Sequence, residues 1–304
     1  GRGPGNAQTE YLLIELQNTK KNKLDILPLL KLIKKYFEPM LKKYKWGTNP
    51  YYYLAGKYGI HPTYIQSMIA GNFDNEEILG TIDQLKHGEG RRYNIGLVRS
   101  DFQKPMKLTE GNWLPAKKIK NKKVLILASG PKAIDYKNEL EKYIKLKKPF
   151  VIALNTTVSI NEKLIDVFAA CHPLRLIADA NLYKSLTSPL VVPISFLSHS
   201  LKKKFKNLKL LDFGVGIKEN HFEFHKSGAV VPRLYALAYA LSIATSGGAS
   251  KILLAGFDGF GIHDRRTKTI DELLALYSSF KSAKPVVAVT PTSYSVDSTS
   301  IYAL

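Results

Sequence analysis

Ser129-Gly130-Pro131 closes the apolar run Val124-Leu125-Ile126-Leu127-Ala128. A tight turn of this kind lets backbone N–H groups approach a phosphate, and the start of the following helix favours negative charge. The same residues also read as a plain connecting turn. They lack G-x-G-x-x-G spacing, which weakens a dinucleotide reading, and they lack G-x-x-x-x-G-K-[ST], which excludes a P-loop. Asn155-Thr156-Thr157 follows the run Phe150–Leu154, and Cys171-His172-Pro173 follows Val167–Ala170. Lys226-Ser227-Gly228 stands before a helical stretch, Pro232–Thr245. Thr290-Pro291-Thr292-Ser293 ends the run Val286–Val289.

Gly256-Phe257-Asp258-Gly259 ends the run Ile252–Ala255. A carboxylate at Asp258 can hold a ribose hydroxyl, a metal or the amides of a neighbouring loop, or can simply cap a turn. His263 lies beside Asp264. A loop histidine next to a carboxylate can act as a general base near neutral pH, or can be a solvated loop residue. One cysteine and one histidine make no zinc site, which discounts Cys171-His172 as a metal pair.

The elements that must position these residues follow from the apolar runs. Runs that are apolar on both faces are the signature of parallel strands covered by helices on both sides. Helical stretches at Tyr136–Lys147, Pro232–Thr245 and Thr269–Phe280 separate many of them. Alternation of this kind predicts an α/β fold with a Rossmann-like, mainly parallel, doubly wound sheet, which binds ligands outside the carboxyl ends of its strands. The small and polar clusters fall at those ends or just before a helix. Residues 1–100 read differently. Leu29, Leu30, Ile33, Phe37, Met40 and Leu41 recur at helical spacing, and short helices follow over Tyr51–Tyr58, from His61 to Gly71 and from Asn75 to His87. The expected organisation is a mostly helical segment over 1–100, a linker or wrapping segment over 101–122 and the Rossmann-like domain over 123–304.

The 304 residues carry a formal net charge of +20, mostly from lysine. Clusters stand at Lys20, Lys21 and Lys23, at Lys117 to Lys123, and at Lys202 to Lys206. Such charge suits polyanions: nucleic acid, phosphates or an anionic membrane surface. Specific nucleic-acid readers favour arginine, and no zinc-finger, RNP or basic-zipper pattern is present, so the composition argues against nucleic acid. The single Cys171 excludes a disulfide framework and fits a reducing, cytoplasmic compartment. No apolar run is long enough to span a bilayer.

The opening Gly1-Arg2-Gly3-Pro4-Gly5-Asn6 packs three glycines and a proline into six residues, a turn that needs a scaffold to hold it. The expectation is a fragment whose scaffold lies upstream. Gly1 to Glu10 resembles the loop after the last barrel strand of the HMG-CoA-lyase-like aldolases, which include 4-hydroxy-2-oxovalerate aldolase. The stretch Asn49 to Tyr64 resembles the helical extension that follows that barrel. The resemblance implies a parent carbon–carbon lyase using a divalent metal, with Asn6 matching an asparagine that can complete the metal shell. The remaining ligands would lie in the missing barrel. The helical extension of such aldolases docks a partner dehydrogenase, which makes a dehydrogenase or a homo-oligomer an expected partner.

A second resemblance covers about residues 123–300. Leu125 to Pro131, Ile134-Asp135, Asn155, Ser227-Gly228-Ala229, Leu254 to Asp258, His263 and Thr290 to Ser293 are similar to motifs of the bacterial CMP-sugar sialyltransferases. They are also similar to the motility-associated-factor and hydroxymethylpterin-pyrophosphokinase-like domains. The resemblance implies a nucleotide or nucleotide-sugar site at Ser129, Gly130, Pro131, Asn155, Thr156, Ser227, Gly228 and Thr292. It also implies His263 as the base, with Asp258 as the further candidate for chemistry. The tyrosine-bearing lid of the sialyltransferases is missing between Asp258 and His263. A glycosyltransferase-like domain and a partner-docking or regulatory module without catalysis both stay open.

Overall fold

The computed structural model describes residues 8–19, 25–44, 49–70, 73, 75–86, 106–157, 159–197, 199–260 and 264–304. The chain divides into two compact units, residues 1–101 and 102–304.

The first unit is helical where described, with helices Thr9–Thr19, Leu27–Leu32, Glu38–Tyr44, Pro50–Tyr58, Pro62–Ala70 and Asn75–Leu85. The start and stop of Pro50–Tyr58 follow from local chemistry. The Asn49 side chain accepts the Tyr52 N–H at 2.9 Å, Pro50 opens the first turn, and Gly59 ends the helix in the left-handed region. Tyr52, Ile60, Tyr64, Ile65, Met68, Ile78, Ile82 and Leu85 form its buried core. Three consecutive tyrosines must point around a helix. Accordingly Tyr52 is buried, Tyr53 is exposed, and Tyr51 donates its hydroxyl proton to Asn75.

The second unit is a doubly wound α/β domain. Its main sheet holds β1 (Lys123–Leu127), β2 (Phe150–Leu154), β3 (Val167–Ala169), β4 (Leu190–Val192), β5 (Leu210–Asp212), β9 (Lys251–Ala255) and β10 (Val286–Ala288). The order is β10-β9-β1-β2-β3-β4-β5, and every pair is parallel. From β1 the chain walks outward to β5, then returns to place β9 on the other side of β1. That reversal makes β1/β9 the topological switch point, where open sheets of this kind leave a crevice at the carboxyl ends.

A second, three-stranded sheet holds β6 (Gly214–Ile217), β7 (Glu223–Phe224) and β8 (Gly228–Val231), in the order β6-β8-β7. The helix Ala236–Ser246 is apolar all round and buried from Leu237 to Thr245. It shares one core with Val124, Ile126 and Ile152 of the main sheet and with Val215, Ala229 and Val231 of the small one. A helix packed against two sheets has no solvent face, which is why it carries no polar stripe. Three of its hydroxyls bond to carbonyls: Ser242 and Thr245 donate one turn back, and Tyr239 donates to the Phe213 carbonyl.

Two expectations need correction. Lys226-Ser227-Gly228 leads a strand and not a helix, because Gly228 opens β8 and the helix begins only at Ala236. The strands β5 to β8 are absent from the periodicity, being two to four residues long, with glycine opening or interrupting β6 and β8.

Candidate functional site

The carboxyl edge of the main sheet has two halves. At β9 and β10 most of the polar groups the sequence singles out are engaged, although Asp258 Oδ1 is buried with no hydrogen-bond partner among the described residues. Gly130 donates its N–H to the Gly256 carbonyl at 2.9 Å. Lys132, second residue of the short helix Pro131–Asp135, donates its N–H to Asp258 Oδ2 at 2.8 Å. Pro131 has no N–H, and Ala133 donates to the Gly130 carbonyl. The amides expected to cradle a phosphate are thus taken, two by the β9 loop and one by the turn itself. Asp258 supplies the negative charge at that helix start, in place of an external anion.

The fit is close. A Cβ on Gly130 would lie 2.3 Å from the Gly256 carbonyl oxygen and 2.6 Å from Asp258 Oδ1. Gly256 sits at φ +73, where only glycine is comfortable, with the Ala128 oxygen 2.4 Å from its would-be Cβ. The β10 end is laced to the same loop. Thr290 Oγ1 accepts the Gly256 N–H at 3.0 Å, Thr292 donates its hydroxyl to the Phe257 carbonyl, and Ser293 donates its N–H to the Asp258 carbonyl. Thr292, expected in a nucleotide site, is therefore a fastener of two loops. Tyr294 closes this corner, and burial pushes its hydroxyl up to about 12.

The other half, at β1 and β2, is open. Ser129 is exposed, and neither its N–H nor its hydroxyl has a partner among the described residues. Asn155 follows β2 directly, in the left-handed region at φ 53. Its backbone N–H donates to the Ala169 carbonyl, which anchors it, while its carboxamide has no partner among the described residues. The hydroxyls of Thr156 and Thr157 are likewise unpartnered and half-buried. Because β1 and β2 are paired in register, Leu127 against Ala153, these residues stand on neighbouring strand ends. The cluster is neutral. It can give and accept hydrogen bonds but carries no charge.

The remaining expected residues lie elsewhere. Ser227 is tied to the region after β5, with its carbonyl accepting the N–H groups of Gly111 and Gly214 and its hydroxyl donating to Glu110 at 2.8 Å. A Cβ on Gly228 would come within 3.0 Å of the Gly214 carbonyl oxygen. β5 stands four strands from β1, roughly 19 Å at ordinary strand spacing. The structure therefore does not bring Ser227 and Gly228 to the β1/β2 ends; they pin the strap of residues 106–113 onto the second sheet. Glu110, missed in the sequence because it lies in an irregular stretch, is the partner that explains Ser227.

Asp264 caps the helix Arg265–Ser278 and grips Arg266 with both oxygens, at 2.7–3.1 Å. Those bonds from Arg266 hold its carboxyl below the usual carboxylate range. Asp264 is thus committed to its own helix. His263 and Asn6 lie outside the described residues. Cys171 is fully buried, and desolvation raises its thiol well above the ordinary value, so it packs as a small apolar group. His172 occupies the N-cap position of the helix Pro173–Ala178. No group of three or more His, Cys, Asp or Glu among the described residues is placed to hold a metal ion. No helix among them is long and apolar enough to cross a membrane.

No family model matches the chain, and no curated protein matches it. Among solved structures, the MAf glycosyltransferase from Magnetospirillum magneticum AMB-1 is similar at a TM-score of 0.40 and 12% identity. The match covers 69% of this chain and 38% of that one, so the chain spans well under half of that protein's length.

Proposed function

We propose that residues 102–304 bind a nucleotide or nucleotide sugar at the carboxyl ends of β1 and β2, as a glycosyltransferase-like domain. The observation that carries this reading is the open half of the sheet edge. Ser129, Asn155, Thr156 and Thr157 hold hydrogen-bonding groups without a partner among the described residues, beside the topological switch point. A neutral set of hydroxyls and one carboxamide suits the hydroxyls of a ribose or sugar and the polar edge of a base. Bare inorganic phosphate would instead call for free amides or cations, and here the Gly130 turn has spent its amides. Asp258 acts in this reading as a positioning residue, fixing the loop that carries Ser129.

Calorimetry with CMP, UDP and CMP-sugars tests it. Binding below the millimolar range is expected, with Asn155→Ala weakening it about tenfold through loss of one or two hydrogen bonds. Absence of binding by every nucleotide at that level would overturn the reading. Donor hydrolysis by the same sample separates a transferase from a binding module. For residues 1–100, the reading as the tail of a metal-dependent aldolase rests on the sequence resemblance alone.

A further inference from the structure

We propose that the opposite edge of the same sheet, at the amino ends of its strands, is a peripheral docking face for an anionic lipid bilayer. Lys148, Lys123, Lys251 and Lys284 stand at or just before the starts of β2, β1, β9 and β10, four adjacent strands, and Lys209 precedes β5. Lys123 and Lys251 are direct partners in register. Like charges set opposite each other repel, and parallel topology forces them together because it gathers every strand start at one edge.

None of these lysines has an ion-pair partner among the described residues, whereas Lys132, Lys145 and Lys268 on the flanking helices pair with Asp135, Glu141 and Glu272. The acids of this edge are occupied as well. Glu162 accepts N–H groups from Thr187 and Ser188, and Asp166 accepts the Val151 N–H. Among the described residues, the carboxyl edge carries no comparable row of lysines.

Two features favour a bilayer over nucleic acid. The row is built from lysine, a compact hydrated charge without the fork that reads phosphate and base edges. It is also flanked by exposed aliphatic side chains rather than stacking aromatics. Leu146 is 68% exposed between Lys145 and Lys147, and Leu182 is 57% exposed two residues before Lys184. Aliphatic groups among lysines suit the boundary between headgroups and acyl chains, whereas single-stranded nucleic acid calls for aromatic platforms. Docked this way, the open β1/β2 ends point away from the bilayer.

Co-sedimentation of the full chain with sucrose-loaded phosphatidylcholine vesicles, with and without phosphatidylglycerol, tests the proposal. Binding is expected only with phosphatidylglycerol and is lost at high salt. The triple variant Lys123→Glu, Lys148→Glu, Lys251→Glu should bind at least about tenfold more weakly. A control of equal net charge, Lys137→Glu, Lys142→Glu, Lys268→Glu, should keep most of the binding. Equal loss in both variants, or equal binding to neutral vesicles, overturns the proposal. So does duplex DNA that competes the protein off vesicles through the same three lysines. Should the variants fold poorly, acetylation footprinting of the unaltered chain decides: Lys123 and Lys251 must be protected by anionic vesicles, and unchanged labelling overturns the idea. Nucleotide binding at the other edge is read separately and does not enter this outcome.

Discussion

The two halves of the carboxyl edge are built from similar residues and put them to opposite uses. At β9 and β10, one carboxylate oxygen of Asp258 and the hydroxyls of Thr290 and Thr292 are spent on the backbone of neighbouring loops, while Asp258 Oδ1 stays buried without a partner among the described residues. At β1 and β2, Ser129, Asn155 and Thr156 leave their side-chain oxygens unspent among the described residues. A polar residue at a strand end is therefore no indication of a site by itself. What separates fastener from ligand group is whether another loop has already claimed its hydrogen bonds.

The comparison breaks most sharply at Gly130. Gly130→Val should drive Cβ into the Gly256 carbonyl and the Asp258 carboxylate. The expected cost is about 3 kcal/mol or more, a fall in Tm of roughly 6–12 °C by scanning calorimetry. A Tm within a degree or two of the parent would mean the closed half is looser than its geometry. Thr290→Val comes next. It leaves the buried Gly256 N–H without an acceptor and should cost about 1–3 kcal/mol in urea unfolding. Asp258→Ala removes the acceptor for the Lys132 N–H and should cost about 1 kcal/mol, while Asp258→Asn, which keeps an acceptor, should cost less. Equal losses for Ala and Asn would show that charge, and not the cap, is what matters there.

Glu162 at the opposite edge offers a pH test. Burial works against its ionisation, but hydrogen bonds from the Thr187 amide and hydroxyl and the Ser188 amide hold it below its ordinary value of 4.5. A depressed folded value adds stability above pH 4.5 that is lost as pH falls through the folded value. Glu162→Gln should therefore be less stable than the parent at neutral pH, by under about 1 kcal/mol after solvent screening, with the gap closing in acid. A gap that widens in acid would reverse the sign. The smallest stability effect belongs to the open half: Thr156→Val should stay within about 0.5 kcal/mol of the parent. If it costs as much as Thr290→Val, the open half has a hidden partner and the contrast between the halves fails.

Much of the architecture was legible. The stretches Val124–Leu127, Phe150–Leu154 and Ile252–Ala255 are buried, leaving only the opening lysines of β1 and β9 outside, because a strand covered on both faces has no polar positions to interrupt it. The turn at Ser129-Gly130-Pro131 and the strand-end place of Asn155 were legible for the same reason. β6 and β8 were not. Gly214-Val215-Gly216-Ile217 is too short and too glycine-rich to stand out, and its glycines are explained only by the backbone of Thr109 and Leu108 pressed against them. Missing that sheet put Ser227 and Gly228 in front of a helix.

The sequence by itself determined the α/β class, the parallel strands and which residues lie at their ends, since those follow from local periodicity and from burial on both faces. Only the tertiary structure decided which of those residues remain free to meet a ligand. Asp258 reaches the Lys132 amide across 126 residues of chain, and Ser227 reaches Glu110 across 117. A hydrogen bond is settled by proximity in space, and proximity between such distant segments exists only once the sheet has been assembled.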